Sequence, residues 1–406
     1  MTLRRRSAQA PSRTRSAKGI PLDSLSPLDR RLLERAVALG RRGWGRVHPN
    51  PMVGAVVARD GSVIAEGHHG ELGGPHAEAR ALAELAGEVG ATLYTSLEPC
   101  RHRGRTPPCT EAIVGAGVAR VVYWAADPNP EAGGGGDWLR GRGVRVEGPF
   151  GEEGDWAAEN PLFHHRVAAA ADPEPRPYLA LKLAMSVDGK IAPSGGRRVW
   201  LTGPEARAEV HRLRAGFGAI LVGTRTWQAD NPALTARGAV APLRPPIPVL
   251  LDRRGEATPE LRALGNRAAR AIVVTEPSAR APLGERLRGR AEVVAVPNGP
   301  GGLDLSGVLG SLGERGVESV LSEGGGVLGA SLLAHGLVDR LYLFVAPAVI
   351  GPGGVEAFPS PTSPGGDMVD SLAGWRQRLE PVRFGSDTLI VLDREVSSIP
   401  ATGAKS

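Results

Sequence analysis

Cysteine is almost missing from this 406-residue chain; Cys100 and Cys109 are the only two. Two thiols exclude a framework of several disulfides and leave either one bridge or a shared metal. Aromatic residues make up 4% of the chain, too few for the stacking track of a single-strand nucleic-acid binder. No apolar run approaches the roughly 18–20 residues that cross a bilayer as a helix, so no membrane partner is expected. Acidic residues are missing from 1–18, where Arg4, Arg5, Arg6, Arg13, Arg15 and Lys18 stand. Those six account for the whole formal charge of +6, because 43 basic and 43 acidic residues remain without them. The basic excess therefore sits in a Ser/Arg/Ala-rich segment with little to bury, expected as a disordered tail over 1–25. An organelle address is the lesser alternative for it. A near-neutral body argues against nucleic acid as a partner.

What is present suits two domains. Hydrophobic residues are 41% and charged residues 23% of the chain, a globular balance. Ser26-Pro27 reads as a helix cap followed by proline at the first turn, and Leu28, Leu32, Leu33, Ala36 and Leu39 form an apolar stripe at helical spacing. Strands are expected at 53–58 and 63–66 around an Asp60-Gly61 turn, and at 91–96 and 118–124. Helices are expected at 77–88 and 110–116. This alternation predicts a three-layer α/β/α domain over 26–167. Prolines at 173, 175 and 177 mark a stiff linker over 168–177. A second α/β domain is expected over 178–395, with strands near 178–184, 218–222, 247–251, 271–275, 292–296, 318–322, 340–346 and 387–393. Its helices are expected at 204–215, 303–315 and 327–335, and a frayed end at 396–406.

The sharpest chemical signal is Pro75-His76-Ala77-Glu78, followed by Glu98-Pro99-Cys100 and Pro108-Cys109. A hydrolytic zinc site needs three protein ligands and one position open to water, and His76, Cys100 and Cys109 supply the three. Glu78, two residues after the imidazole, is placed to move protons without binding the metal. Ligand types and a non-ligating Glu match the zinc base-deaminase signature, except that eight residues rather than two separate the cysteines. Alone, a His-x-Glu pair is usually surface decoration and two cysteines are usually core; together they point to metal. Reduced thiolates suit a cytoplasmic setting.

The longer cysteine loop, Cys100-Arg-His-Arg-Gly-Arg-Thr-Pro-Pro-Cys109, resembles that of the riboflavin deaminase–reductase family. His48-Pro-Asn50-Pro-Met-Val-Gly54, Gly67-His68-His69 and Asp127-Pro-Asn-Pro130 match the same family in the same order. The resemblance implies a cytidine-deaminase-like first domain acting on a phosphorylated pyrimidine, with Asn50, His69, His102 and Arg105 touching the substrate. Asn50 can donate to and accept from a heterocycle edge. Arg101 and Arg103 depart from the family, and either add phosphate affinity or decorate the rim. His48 also reads as a packing residue before Pro49.

In the second domain, Ser322-Glu323-Gly324-Gly325-Gly326 follows a strand and opens a helix, where glycines let phosphate reach backbone N–H groups. The run lacks the Gly-x-Gly-x-x-Gly spacing of a dinucleotide fold. Residues 178–393 resemble the family's reductase half, through Leu181–Lys190, Val199–Thr202, Gly223–Thr235 and Glu323–Gly326. That resemblance implies a dihydrofolate-reductase-like fold, NADPH as cofactor and a homo-oligomer held through this domain. By motif position Met185, Trp200, Thr226, Asp230, Gly325, Gly326, Val327, Leu328, Gly329, Ala330 and Ser331 would line the NADPH site. Lys182, Arg198, Arg214, Leu234, Arg237 and Glu323 would face the substrate, with the arginine forks suited to phosphate. Solvated-helix and turn roles are the plain alternatives for Arg214 and Asp230. Arg197-Arg198 stands where the family usually has Ser.

The reading is a two-step enzyme: zinc-dependent deamination of 2,5-diamino-6-ribosylamino-4(3H)-pyrimidinone 5′-phosphate, then NADPH reduction of its ribosyl group to ribityl. The rivals are a related enzyme with an altered substrate, a nucleic-acid base deaminase, and an inactive binding protein.

Overall fold

Ser26 caps the first helix, α1 (Pro27–Gly40), by accepting the Asp29 N–H at 3.1 Å. The computed structural model that shows this describes residues 20–83, 85, 90–104, 106–151, 153–173, 175–196, 199–266, 268–360 and 374–395. Most of the expected tail lies outside them. Its last residues are placed on the domain, with Ile20 N–H donating to Pro149 O at 2.7 Å and Leu22 and Leu25 packing beside α1.

β1 (Gly54–Arg59) and β2 (Ser62–His68) form the expected hairpin. Asp60 and Gly61 both take positive φ, +47° and +79°, as a tight turn between twisted strands requires. α2 (Ala77–Leu82), β3 (Thr92–Leu97), α3 (Cys109–Gly115), β4 (Arg120–Ala125), α4 (Gly135–Arg140) and β5 (Arg145–Glu147) follow. The sheet order is β2-β1-β3-β4-β5, with β3, β4 and β5 parallel and β1 antiparallel to both neighbours. Leu33 and Ala36 of α1 cover one face against Val56, Tyr94 and Val122. Ala81, Ile113 and Leu139 from α2, α3 and α4 cover the other against Val57, Leu93 and Val121. α2 ends at Leu82, short of the expected 88; of the remainder, 84 and 86–88 lie outside the described residues.

α5 (Glu153–Glu159) and α6 (Pro161–Ala169) lead out of this domain, and α6 takes the first two residues expected as linker. The second domain opens with β6 (Tyr178–Ser186), β7 (Lys190–Ala192), α7 (Pro204–Gly216), β8 (Ala219–Val222), α8 (Thr224–Asp230), β9 (Ile247–Leu251) and β10 (Ala271–Thr275). α9 (Arg280–Arg286), β11 (Ala291–Ala295), β12 (Asn298–Gly299), β13 (Gly302–Leu303), α10 (Leu305–Gly313), β14 (Ser319–Ser322) and α11 (Gly325–Ala334) come next. β15 (Arg340–Ala346), β16 (Val355–Glu356), β17 (Trp375–Arg376), β18 (Val382–Phe384) and β19 (Asp387–Arg394) complete it. The main sheet runs β11-β10-β9-β8-β14-β6-β15-β19-β17, with β18 on β19. It is parallel from β11 to β15, and β19 returns antiparallel.

The two domains share a core in which Trp44, Val47, Met52 and Leu162 meet Tyr178, Leu213 and Phe217. Arg340, 3% exposed, crosses the same boundary. It donates to both Asp393 oxygens at 2.6 and 2.9 Å and to Ala158 O at 2.7 Å.

Asp29 anchors α1 to the sheet by accepting from Tyr94 Oη at 2.5 Å and from Arg120 at 2.7 Å. Burial works to raise its pKa, but the hydrogen bonds from Arg120, Tyr94 and Ser26 outweigh it and hold it at about 2. A depressed carboxylate stabilises the fold above its unfolded pKa of about 4, and that contribution is lost as pH falls toward 2. Asp29→Asn should therefore cost about 2 kcal/mol at pH 7. Urea unfolding followed at pH 7, 4 and 3 should show the gap from the parent closing as pH falls; a constant gap would contradict it.

Candidate functional sites

The site of the first domain begins where three elements start or end. His76 is the residue before α2, Cys100 follows β3, and Cys109 opens α3. Two glycines permit the approach. A Cβ on Gly67 would lie 2.3 Å from Ala77 O, so β2 and α2 meet without a side chain between them. A Cβ on Gly135 would lie 1.8 Å from Pro99 O, beside the first cysteine.

His76 Nδ1 lies 3.2 Å from Cys109 Sγ and 3.5 Å from Cys100 Sγ, and the two sulfurs are 3.4 Å apart. Zinc bonds of about 2.0 Å to nitrogen and 2.3 Å to sulfur imply donor separations of about 3.5–3.8 Å in a tetrahedron, so the triangle fits that ion. The chemistry of the donors fits too. Hydrogen bonds from Cys109 and His76 pull the Cys100 thiol down, while the hydrogen bond to Cys100 and burial push Cys109 up. Among the described residues this is the His/Cys/Asp/Glu group close enough to hold a metal.

Glu78, 3% exposed, lines a cavity together with His76 and Cys100. Burial pushes its carboxyl up to about 7. His69 Nδ1–H donates to Pro75 O at 3.1 Å, which makes Nε2 an acceptor for the Asn50 amide at 3.4 Å. The Asn50 carbonyl is thereby left for a ligand. Burial also lowers the pKa of His69. His102 lines the cavity, and Arg105 lies outside the described residues. Arg101 donates to Gly133 O at 2.8 Å and Arg103 pairs with Glu111 at 3.0 Å. His48 is packed edge-on to Trp44 at 5.8 Å. Glu98, read only as part of a motif, accepts Gly136 N–H at 2.9 Å and fixes α4. Asp127 and Asn129 reach the cavity wall, and the first accepts the second's N–H at 2.9 Å in a local turn.

The second site lies at the carboxyl ends of β8 and β14, where open α/β sheets bind ligands. Glu323, directly after β14, receives Arg214 Nε at 2.6 Å and Nη2 at 3.0 Å, with Lys182 Nζ at 3.7 Å. Burial opposes ionisation of Glu323, but Arg214 and Lys182 outweigh it and hold it at about 2. Burial lowers Lys182 against the pull of Glu323. Arg214 also donates to Thr235 O at 3.2 Å. Its fork thus closes on a buried carboxylate. A charge this buried is stable only when paired.

Thr226 Oγ1 donates to Gly324 O at 2.9 Å and braces the glycine turn, where Gly325 has φ +75°. The run after it divides. Val327, Leu328 and Ser331 line a cavity of about 440 Å³, whereas Gly326, Gly329 and Ala330 are buried. Leu234, 2% exposed, packs with Trp227 in the core, so its side chain does not face a ligand. Met185 is half-buried at the end of β6, and Trp200 is 70% exposed under the Arg207 guanidinium. Asp230 closes α8, Arg237 stands beyond β8 near His211, and Arg198 lies outside the described residues. Sequence reading missed Arg225, Arg253 and Arg254, which line the same cavity. The signal was the Arg253-Arg254 pair just past a parallel strand.

A hydrolytic zinc triangle in one domain and a buried Lys–Glu–Arg cluster under a glycine turn in the next define a deaminase joined to a reductase. Two family models match accordingly: the cytidine and deoxycytidylate deaminase zinc-binding region over residues 26–125, and the RibD C-terminal domain over 177–377. The riboflavin biosynthesis protein RibD of Escherichia coli is 38% identical over 338 residues, 80% of this chain and 89% of that protein. The Actinobacillus pleuropneumoniae RibD is 38% identical over 323 residues, 79% and 84% of the two chains. A Thermotoga maritima diaminohydroxyphosphoribosylaminopyrimidine deaminase/5-amino-6-(5-phosphoribosylamino)uracil reductase superposes with a TM-score of 0.71 at 34% identity, covering 90% of this chain and 99% of that one. The chain belongs to the RibD family of bifunctional riboflavin-biosynthesis deaminase/reductases.

Cys109→Ser should lower zinc from about one ion per chain to near none by elemental analysis, since the ion needs all three donors. Full zinc retention in that variant would remove Cys109 from the ligand set.

Proposed function

We propose that the chain deaminates 2,5-diamino-6-ribosylamino-4(3H)-pyrimidinone 5′-phosphate in its first domain and reduces the product's ribosyl group to ribityl with NADPH in its second. The observation that carries this reading is the His76–Cys100–Cys109 triangle with Glu78 buried beside it. Zinc held there would act as a Lewis acid that makes water nucleophilic near neutral pH. Glu78 takes the proton from that water and returns it to the departing amine, as the C–O bond forms and the C–N bond breaks. Asn50, oriented by His69, reads the heterocycle edge, and His102 and Arg105 meet the phosphate.

In the reductase, NADPH supplies the hydride and the protein positions the partners. The hydride goes to C1 of the opened ribosylamine, and Lys182, held by Glu323, is the group placed to deliver the accompanying proton. Met185, Trp200, Thr226, Asp230 and the Gly325–Ser331 start of α11 contact the cofactor, and Arg198 and Arg237 the substrate. The cavity beside α11 gathers Arg225, Arg253 and Arg254. Its acids are engaged: Asp252 accepts Ala257 N–H at 2.7 Å and Glu256 accepts from Gln228 at 2.6 Å. The surplus positive charge favours the extra phosphate of NADPH over NADH. Exposed Val187 and Val349, 64% and 76% accessible, support self-association through this domain. No helix among the described residues is long and apolar enough to cross a membrane, and the reading places the enzyme in the cytoplasm with no nucleic-acid partner.

Glu78→Gln should abolish ammonia release while zinc content stays at the parental level; unchanged release would remove Glu78 from the mechanism. Asp230→Ala should slow NADPH oxidation alone, and a parallel loss of deamination would overturn the division of labour. The Arg253→Ala/Arg254→Ala double variant should raise KM for NADPH about tenfold and leave KM for NADH unchanged, measured by initial rates at 340 nm.

A further inference from the structure

The cavity around the zinc triangle, about 1190 Å³, is not walled by the deaminase domain alone. Ala215, Gly216, Phe217, Leu243, Arg244 and Ile247 of the reductase domain line it as well. Their placement is fixed. Trp44 donates its indole N–H to Arg212 O at 2.8 Å, Leu243 N–H donates to Gly45 O at 2.9 Å, and Arg46 donates to Ala241 O at 3.3 Å. Gly45, at φ +78°, lets the two backbones touch: a Cβ there would lie 2.6 Å from Ala215 O. The clamped loop is the one that carries Asn50 into the deaminase site.

The cations on the cavity wall are unequal. Arg315 is paired with Glu292 at 2.7 Å, Arg270 donates to Ala291 O at 3.0 Å, and Arg166 lies over the Phe163 ring at 5.4 Å. Glu98 and Asp127, on the acidic side, are occupied by backbone N–H groups. Among the described residues Arg244 has no side-chain hydrogen bond and no carboxylate within salt-bridge reach. Its exposed guanidinium stays hydrated until an anion arrives, so binding one involves no buried unpaired charge.

We propose that Arg244, supplied across the domain boundary by the reductase domain, binds the phosphate of the deaminase substrate. Its planar fork matches two phosphate oxygens, and the segment that bears it is registered against the Asn50 loop by the two hydrogen bonds at Gly45 and Arg46. The inference rests on the phosphorylated-pyrimidine reading of the first site. It also gives that site a reason to be fused to a reductase: the second domain completes the first domain's substrate pocket.

The test uses full-length zinc enzyme. Amine release is measured with the phosphorylated substrate and with its dephosphorylated nucleoside, for the parent, Arg244→Ala and Arg244→Lys. The expected result for Arg244→Ala is a KM for the phosphorylated substrate raised ten- to a hundredfold, about the worth of a charge-assisted hydrogen bond, with kcat retained. The loss should be confined to the phosphorylated compound and partly recovered by Lys. An unchanged KM, or equal losses with both compounds, overturns the proposal, the second because it shows a merely structural role. Calorimetric titration with ribose 5-phosphate provides a readout independent of the base: binding weakened in Arg244→Ala supports the proposal, and equal binding overturns it. Failure of the parent to release ammonia from the named pyrimidine would instead count against the substrate assignment, leaving the ribose 5-phosphate comparison to decide on Arg244.

Discussion

Three donor atoms from distant parts of the chain lie within 3.5 Å of one another, and much of the first domain exists to bring them there. Neither sulfur is on a flexible loop end. Cys100 is held by β3 and by the contact of Pro99 with Gly135, and Cys109 by the first turn of α3. His76 is set by α2, which lies against β2 at Gly67. Because α2 starts at residue 77, Glu78 is carried into the same buried space two residues later. The proton carrier and the ligand triangle are thus one local construction. Moving the helix to change one would displace the other.

The second site solves a different electrostatic problem. Its three charges are buried together, and two cations against one carboxylate leave a net positive pocket. The Glu323 carboxylate lowers the cost of burying Lys182 and Arg214, and they in turn keep it ionised. Such a cluster is weak evidence for stability, since its desolvation roughly cancels its attraction. It is better understood as preorganisation: the ammonium of Lys182 is fixed in place before any substrate binds.

The zinc site was legible in the sequence because its chemistry is local and its residue types are rare. Two cysteines and one His-x-Glu leave few ways to build a hydrolytic site, and the sheet around them follows from ordinary alternation of strands and helices. What escaped was non-local. The pairing of Arg214 with Glu323, 109 positions away, left no trace in local spacing. Leu234 sat in a family motif, yet its side chain belongs to the core around Trp227. α4 and α8 went unread because six or seven residues give too little periodicity to separate a helix from a loop. Arg244 has no pattern around it at all; only the packing of distant segments gives it a cavity to face.

The shared core around Trp44 also bears on how the two reactions connect. The deaminase cavity ends against Gly218, Ile247 and Ser319, which stand at the amino ends of β8, β9 and β14. Gly223 and Glu323, by contrast, follow the carboxyl ends of β8 and β14. The two sites therefore lie at opposite edges of one sheet, separated by the length of four-residue strands, on the order of 13 Å, whose core is filled by Leu221, Val320 and Leu321. An interior packed to that density has no passage for a phosphorylated sugar. With the cofactor placed at the second site, as proposed, a deaminated product leaves the first cavity and travels round the sheet, within one chain or to a neighbour, before it is reduced. Under that constraint, fusion of the domains serves the assembly of the first pocket more directly than it serves transfer between the two.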